Sequence, residues 1–252
     1  MSGHSKWHNR IHRKSRQDAK RGALFSKLSK EILIAARAGG DDPVSNARLR
    51  LAVERARDGG LPSDNIRRAI ERGARGDEGV TYEELAYEGY GPGGVAVLVE
   101  VQTDNRNRTA GDVRHIFSRN GGSLGAAGCV AWMFEKKGLL LIERADASLT
   151  EEQILELALD AGAEDVRVDA ETFGIITAPD GFEAVRQRVL DQGVRLAVAE
   201  LTMEPRTTVE VEGRDAEQVA RLVETLEDHD DVSNVYTNHS EVESPEDAEA
   251  EG

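Results

Sequence analysis

Six short segments between Gly138 and Met203 constrain the fold more than any other stretch of the chain. Gly138 to Glu143 reads as a strand, and Thr150-Glu151-Glu152-Gln153 is a capping box opening a helix to Ala161. Val166 to Asp169 and Phe173 to Thr177 read as two strands, Asp180 to Gln192 as a helix, and Leu196 to Met203 as a last strand. The order β-α-β-β-α-β is that of a split βαβ, ferredoxin-like fold.

The flanking segments repeat the pattern in two halves. Val95 to Val101 is a β-branched run, Thr109-Ala110-Gly111-Asp112 resembles a capping box for a helix ending near Asn120, and Val130 to Phe134 reads as a strand. Further on come a strand from Thr207 to Val211, a helix from Asp215 to Glu227 capped by Asp215, and a strand from Val232 to Tyr236. Together the halves make the same six-element order, so one ferredoxin-like α/β domain is expected to be inserted into another. Ahead of them, Leu24, Leu28, Ile32 and Ala35 recur at three- and four-residue steps and give one apolar helix face between Ala23 and Ala38. Gly39-Gly40 stops that helix, Pro43 suits the first turn of a second running to Asp58, and Ser63 caps a third carrying Ile66, Ala69 and Ile70. The expected fold class is α+β and multidomain. A helical domain covers 1–78, a discontinuous α/β domain 79–135 with 205–240, an inserted α/β domain 136–204, and a disordered acidic tail 241–252.

Charge divides the chain unevenly. The net charge is −15, yet residues 1–40 hold five Lys and five Arg against Asp18 and Glu31, a local +8. Residues 41–80 balance eight Arg with eight acids, which leaves −23 for everything beyond. A basic end on an acidic molecule points to contact with nucleic acid or membrane by that end. No run approaches the ~20 apolar residues that span a bilayer, and the N-terminus lacks the apolar stretch of a secretory signal. Nucleic acid is therefore the expected partner, with no membrane. The single cysteine, Cys129, excludes an internal disulfide and suits a reducing cytoplasm. It lies in the apolar, strand-like run Gly128 to Trp132, where a buried, inert thiol is expected.

The first candidate contacts are Lys6, Trp7, Arg10, Arg13, Lys14, Arg16, Lys20, Arg21, Lys27 and Lys30. Each Lys or Arg set on a phosphate releases counterions, which gives affinity with steep salt dependence. Arginine adds a forked, bidentate geometry. Trp7 suits either stacking on a base or anchoring the arm against the helices. A second candidate is Asn105, Arg106 and Arg108 in the loop Asp104 to Thr109, where a helix N-terminus offers free N–H groups to an anion. A plain polar βα-loop is the alternative.

Other chemistry is thin. His4, His8 and His12 are spaced by four, but no carboxylate pair or cysteine accompanies them and their neighbours are cationic. Tyr87 to Gly94 is glycine-rich, yet it precedes a strand and lacks the Lys-Ser/Thr pair of a P-loop, so it reads as a tight turn. Asp228, Asp230 and Asp231 lack the spacing of an EF-hand loop and read as a solvated turn. No acid, base and nucleophile gather. No catalytic residue, metal, cofactor or small-molecule substrate is expected, and the acidic domains suit contacts with the ribosome or the transcription machinery.

Gly3-His4-Ser5-Lys6-Trp7, His12-Arg13-Lys14 and Gln17-Asp18-Ala19-Lys20-Arg21-Gly22 resemble the opening of the YebC/PmpR family. Tyr87 to Gly94, Asp104 to Thr109, Asn120-Gly121-Gly122-Ser123-Leu124-Gly125 and Ala161-Gly162-Ala163-Glu164-Asp165 resemble its later motifs, in order, from about residue 2 to about 239. The resemblance implies three domains, no enzyme activity, and a cytoplasmic transcriptional regulator that binds duplex DNA. Other members, mitochondrial ones included, are translational activators at the ribosome, so ribosomal RNA is the alternative partner. The opening motif begins at residue 3, which implies a bacterial cytosolic protein. His8 and the acidic tail lie outside the family pattern.

Overall fold

The computed structural model describes residues 21–76, 81–147 and 149–241. They fall in two compact units, one within 16–129 and 215–235, the other within 130–214 and from 236 onward.

The first unit opens with three helices: α1 (Arg21–Gly39), α2 (Ala47–Asp58) and α3 (Ser63–Arg75). The apolar stripe of α1 supplies Leu28, Ile32, Ala35 and Ala36, which bury against Leu49, Ala52, Val53, Ala56, Leu61, Ile66 and Ala69. Close approach of α1 and α3 depends on Gly73, where a Cβ would sit 2.5 Å from the Leu33 carbonyl oxygen. Pro43 does not open α2. The buried Asn46 does, accepting from Leu49 N–H at 3.0 Å while its amide donates to the carbonyls of Ala35 and Gly40 at 2.9 and 2.8 Å. One side chain thus caps α2 and ties off the end of α1, and Pro43 falls in the preceding turn. Ser63 is likewise the first residue of α3 and not its cap.

A hairpin follows: β1 (Glu83–Tyr90) pairs antiparallel with β2 (Ala96–Thr103), from Glu83 opposite Thr103 to Tyr90 opposite Ala96. The tight turn expected over Tyr87 to Gly94 is therefore only its second half. Gly93 and Gly94 take φ of 68° and 76°, which glycine alone adopts without strain. Then come α4 (Arg106–Arg119) and the short β3 (Ser123–Leu124); α7 (Gly213–Glu227) and β9 (Val232–Thr237) return much later in the chain. The sheet order is β3-β1-β2-β9. Gly89 and Gly91 leave room for Phe117 of α4 and Leu222 of α7, placing both helices against the sheet.

In the second unit β4 (Phe134–Glu143), α5 (Glu151–Ala161), β5 (Asp165–Val168), β6 (Thr172–Thr177), α6 (Phe182–Asp191) and β7 (Val198–Pro205) take the expected order. Their strands line up β5-β6-β4-β7, each pair antiparallel, which is the split βαβ arrangement. Two expected strands change place. Residues 131–133 form a 3-10 turn, and the strand begins at Phe134 as part of β4, because Phe134 already pairs with Pro205. The strand expected from Thr207 shortens to β8 (Val209–Val211) and joins no four-stranded sheet. It pairs in parallel with β10 (His239–Glu241), held by the buried Asn238, whose carbonyl accepts from Val209 N–H at 2.8 Å. Glu241, expected in the tail, belongs to β10; 242–252 lie outside the described residues.

Candidate nucleic-acid interface

Of the expected contacts, Lys6, Trp7, Arg10, Arg13, Lys14, Arg16 and Lys20 lie outside the described residues, as do His4, His8, His12 and the side chain of Arg21. Lys27, Lys30, Asn105, Arg106 and Arg108 are described, and they divide into inward and outward groups.

Lys27 and Lys30 turn inward. Lys27 donates to the carbonyl of Glu227, at the end of α7, where a helix terminus favours a cation. Burial lowers its ammonium pKa, and the carboxylates of Glu227, Asp230 and Asp228 pull it back up. Lys30 uses all three of its donors, on the carbonyls of Gln102 and Asp230 at 3.0 and 3.1 Å and on Asp231 Oδ1 at 3.1 Å. Both lysines therefore fasten α1 to the first α/β sheet.

Asp231 is the hub of that junction, not a solvated turn residue. It is 6% exposed. Its Oδ2 accepts from the Thr109 hydroxyl at 2.8 Å, the Thr103 hydroxyl at 3.2 Å and the Arg108 guanidinium at 2.9 Å. Burial pushes its carboxyl upward, but hydrogen bonds from Arg108, Thr109 and Lys30 outweigh this and hold it well below the usual carboxylate range. Its own N–H donates to His229 Nδ1 at 3.1 Å, so the ring proton sits on Nε2, 3.4 Å from Asp112.

This geometry answers the anion-site question in the loop Asp104 to Thr109. α4 starts three residues before the expected Thr109: Asn105 is its cap, accepting from Arg108 N–H at 3.1 Å. Thr109 is instead buried, its hydroxyl spent on Asp231. Arg108 bridges Asp104 and Asp231, both at 2.9 Å. Arg108 and Lys30 line an open groove of about 590 Å³ with Asp104, Asp112, Asp228, Asp230 and Asp231. Two cations among five carboxylates repel a phosphate. Arg106 points to a different fate, being exposed with no described carboxylate in ion-pair range.

α4 also carries a residue that sequence reasoning missed. Arg114 is exposed on the same helix, and Arg106 and Arg114 both act electrostatically on the Tyr87 phenol, whose hydroxyl donates to the Arg106 carbonyl at 3.1 Å. The signal was present: α4 has four Arg against Asp112 alone, whereas α5 has four acids and no base, α6 is balanced and α7 is acidic. In the helical segment the arginines are more evenly matched, with Arg48 on Glu84, Arg55 on Glu31, and Arg67 and Arg75 on Glu71. Cys129 is half-buried in a turn before β4, and burial raises its thiol pKa. Among the described residues no helix is long and apolar enough to cross a membrane.

Residues 5–76 match the TACO1/YebC protein N-terminal domain, and residues 82–239 match the TACO1/YebC second and third domain. A protein of Desulforamulus reducens named a probable transcriptional regulatory protein is 52% identical over 96% of this chain and 100% of its own length. One of the same name in Pelotomaculum thermopropionicum is 53% identical over 95% of this chain and 98% of its own. The crystal structure of a conserved hypothetical protein from Aquifex aeolicus superposes with a TM-score of 0.82 at 44% identity, covering 90% of this chain and 93% of that one. With both parts of the family pattern matched in order and the fold shared with a solved relative, the chain belongs to the TACO1/YebC family.

Proposed function

We propose that this chain is a non-catalytic regulator of gene expression, acting in the cytoplasm by binding duplex DNA through its basic N-terminal segment. The observation that carries this reading is the charge split: +8 over residues 1–40 of a chain whose net charge is −15. Cations gathered at one end give a phosphate backbone a single docking site, and the acidic remainder discourages indiscriminate coating of a polyanion. The names of the relatives, probable transcriptional regulatory proteins, support the same reading. Lys27, Lys30 and Arg108 are left out of the contact set because carboxylates and carbonyls of the chain occupy them. Lys6, Arg10, Arg13, Lys14, Arg16, Lys20 and Arg21 carry it, with Arg106 as the outward member of the loop.

The test is a salt titration of the full chain on promoter duplexes and on ribosomal RNA. Replacing Lys14, Lys20 and Arg21 together with Gln is expected to lower the log–log salt slope on duplex DNA by ~2.7, at about 0.9 per phosphate contact. An unchanged slope in that variant sinks the reading. Preference for ribosomal RNA, with co-sedimentation on ribosomes, moves the function to translation.

A further inference from the structure

α4 is built against its own stability at one position. Gly111 lies in the helix interior, is exposed, has no positive φ, and a Cβ there would meet nothing within 4 Å. An interior glycine weakens a helix relative to alanine. At Gly89 the fold explains the glycine, since a Cβ would lie 2.5 Å from the Ser123 carbonyl oxygen. Nothing described around Gly111 does so. A bare backbone on a solvent face offers close approach to something outside the chain.

The surroundings of Gly111 narrow what that is. At 3.6 residues per turn, Asn107, Gly111 and Arg114 fall within about 60° of one another. Arg106 and Arg114 stand about 12 Å apart along the axis, above and below the bare strip. Both are exposed, and neither has a described carboxylate within ion-pair distance. The two acids next in line are already engaged, Asp104 by Arg108 and Asp112 by His229. Glu83, the remaining acid near Tyr87, lies on β1 and is exposed. Two guanidiniums that far apart match successive groups of a polyanion better than one small anion, and their forks suit phosphate oxygens.

We propose that the face of α4 formed by Arg106, Gly111 and Arg114 is a second contact for a polynucleotide, whose sugar–phosphate backbone lies directly against the helix. It rests on the nucleic-acid reading above and adds a place on the first α/β domain. The chain then grips its target at two points, the basic N-terminal segment and α4.

The experiment titrates the full chain on a labelled duplex DNA, a single-stranded RNA of the same sequence and a polyglutamate peptide. Two variants are compared with the wild type and with the N-terminal triple variant: Arg106→Gln with Arg114→Gln, and separately Gly111→Leu. The arginine pair is expected to weaken binding on the order of ten-fold and to lower the salt slope by ~1.8 on duplex or ~1.4 on single strands, which identifies the polymer. Gly111→Leu changes no charge. It is expected to raise Tm by about 2 °C yet weaken binding several-fold, a split that a merely structural role would not produce. If both α4 variants bind as the wild type does while the N-terminal variant loses affinity, the α4 contact is overturned and the nucleic-acid reading stands. A wild type that binds neither polynucleotide overturns both. Binding of polyglutamate alone assigns the face to an acidic protein and also overturns the proposal.

Discussion

The two four-stranded sheets are the same size, each backed by two helices, and their interiors are held by different physics. Beneath β4 the second unit is apolar: Leu140, Ile142, Ile154, Phe182, Val185 and Val189 are at most 2% exposed. The first sheet has an apolar layer too, from Val95 to Val101 with Val113, Phe117, Val219 and Leu222. To it is added one buried carboxylate, Asp231, bonded to α1, to β2 and to α4. An apolar core is forgiving, since its energy scales with area and not direction. A buried carboxylate has no such tolerance, because every lost partner leaves charge in a low dielectric. The chain places that directional element in the unit whose helix faces a proposed partner, and leaves the inserted domain to packing.

The largest effect expected from breaking this contrast is at Asp231. Asp231→Ala leaves the Lys30 ammonium, itself 14% exposed at the side chain, without its carboxylate, and frees the hydroxyls of Thr103 and Thr109. A loss of roughly 3–5 kcal/mol is expected for the first unit, read by amide exchange so that each unit is followed separately. Its pH dependence has a definite sign. The folded carboxyl lies below its unfolded value near ~3.9, so its contribution is fully present above that value and is lost as pH falls toward the folded one. Wild type and Asp231→Asn should therefore differ most at neutral pH and converge below about pH 3. A difference that persists unchanged at lower pH would mean that the carboxylate charge is not what holds the junction.

A smaller, pH-independent effect is expected in the inserted domain. Gly138 sits beneath Phe182, and a Cβ there would lie 2.2 Å from Thr177 Oγ1 and 2.5 Å from Phe182 Cδ2. Gly138→Val should cost about 1–3 kcal/mol by overpacking, equally at pH 4 and pH 7. Loss confined to the second unit in exchange data supports the division of labour; equal loss in both units argues against it.

What the sequence disclosed follows the same line. In the inserted domain local signals sufficed, because short apolar runs and one capping box specify their elements without outside help. Thr150 accepts from Gln153 N–H and Gln153 returns a bond to Thr150 N–H, as the spacing implies. β1 stayed hidden because one of its faces is polar, with Glu84 engaged by Arg48 and Gln102 and Glu88 by Gly128 N–H. Alternation that mixes glutamate with glycine imitates a turn. The α4 start was misplaced at Thr109 because its hydroxyl, which looks like a cap, is directed at Asp231, 122 residues away. Asp231 itself gave no local sign of burial, since Asp228 and Asp230 beside it look equally solvated. Side chains that act within a few residues are legible from sequence, whereas those that act across the fold are not.

The finest test of this difference lies in the two helix caps, which are chemically alike and differently embedded. Thr150 closes its capping box with Gln153, and the motif is exposed. Asn105 caps α4 by accepting from Arg108 N–H, while its own N–H donates to Thr103 Oγ1 at 2.9 Å, a group already on Asp231. Alone, Thr150→Ala and Asn105→Ala should each cost about 1 kcal/mol. Combined with Asp231→Asn they should part. Asn105 and Asp231 share Thr103 and Arg108, so their double variant is expected to deviate from additivity by about 0.5–2 kcal/mol. Thr150 shares no described partner with Asp231, so that pair should add within ~0.5 kcal/mol. Denaturation of the four variants in each cycle measures both coupling energies. Equal couplings would mean that α4 is capped as independently as α5, leaving Asp231 a local ion pair and not the organiser of the first unit.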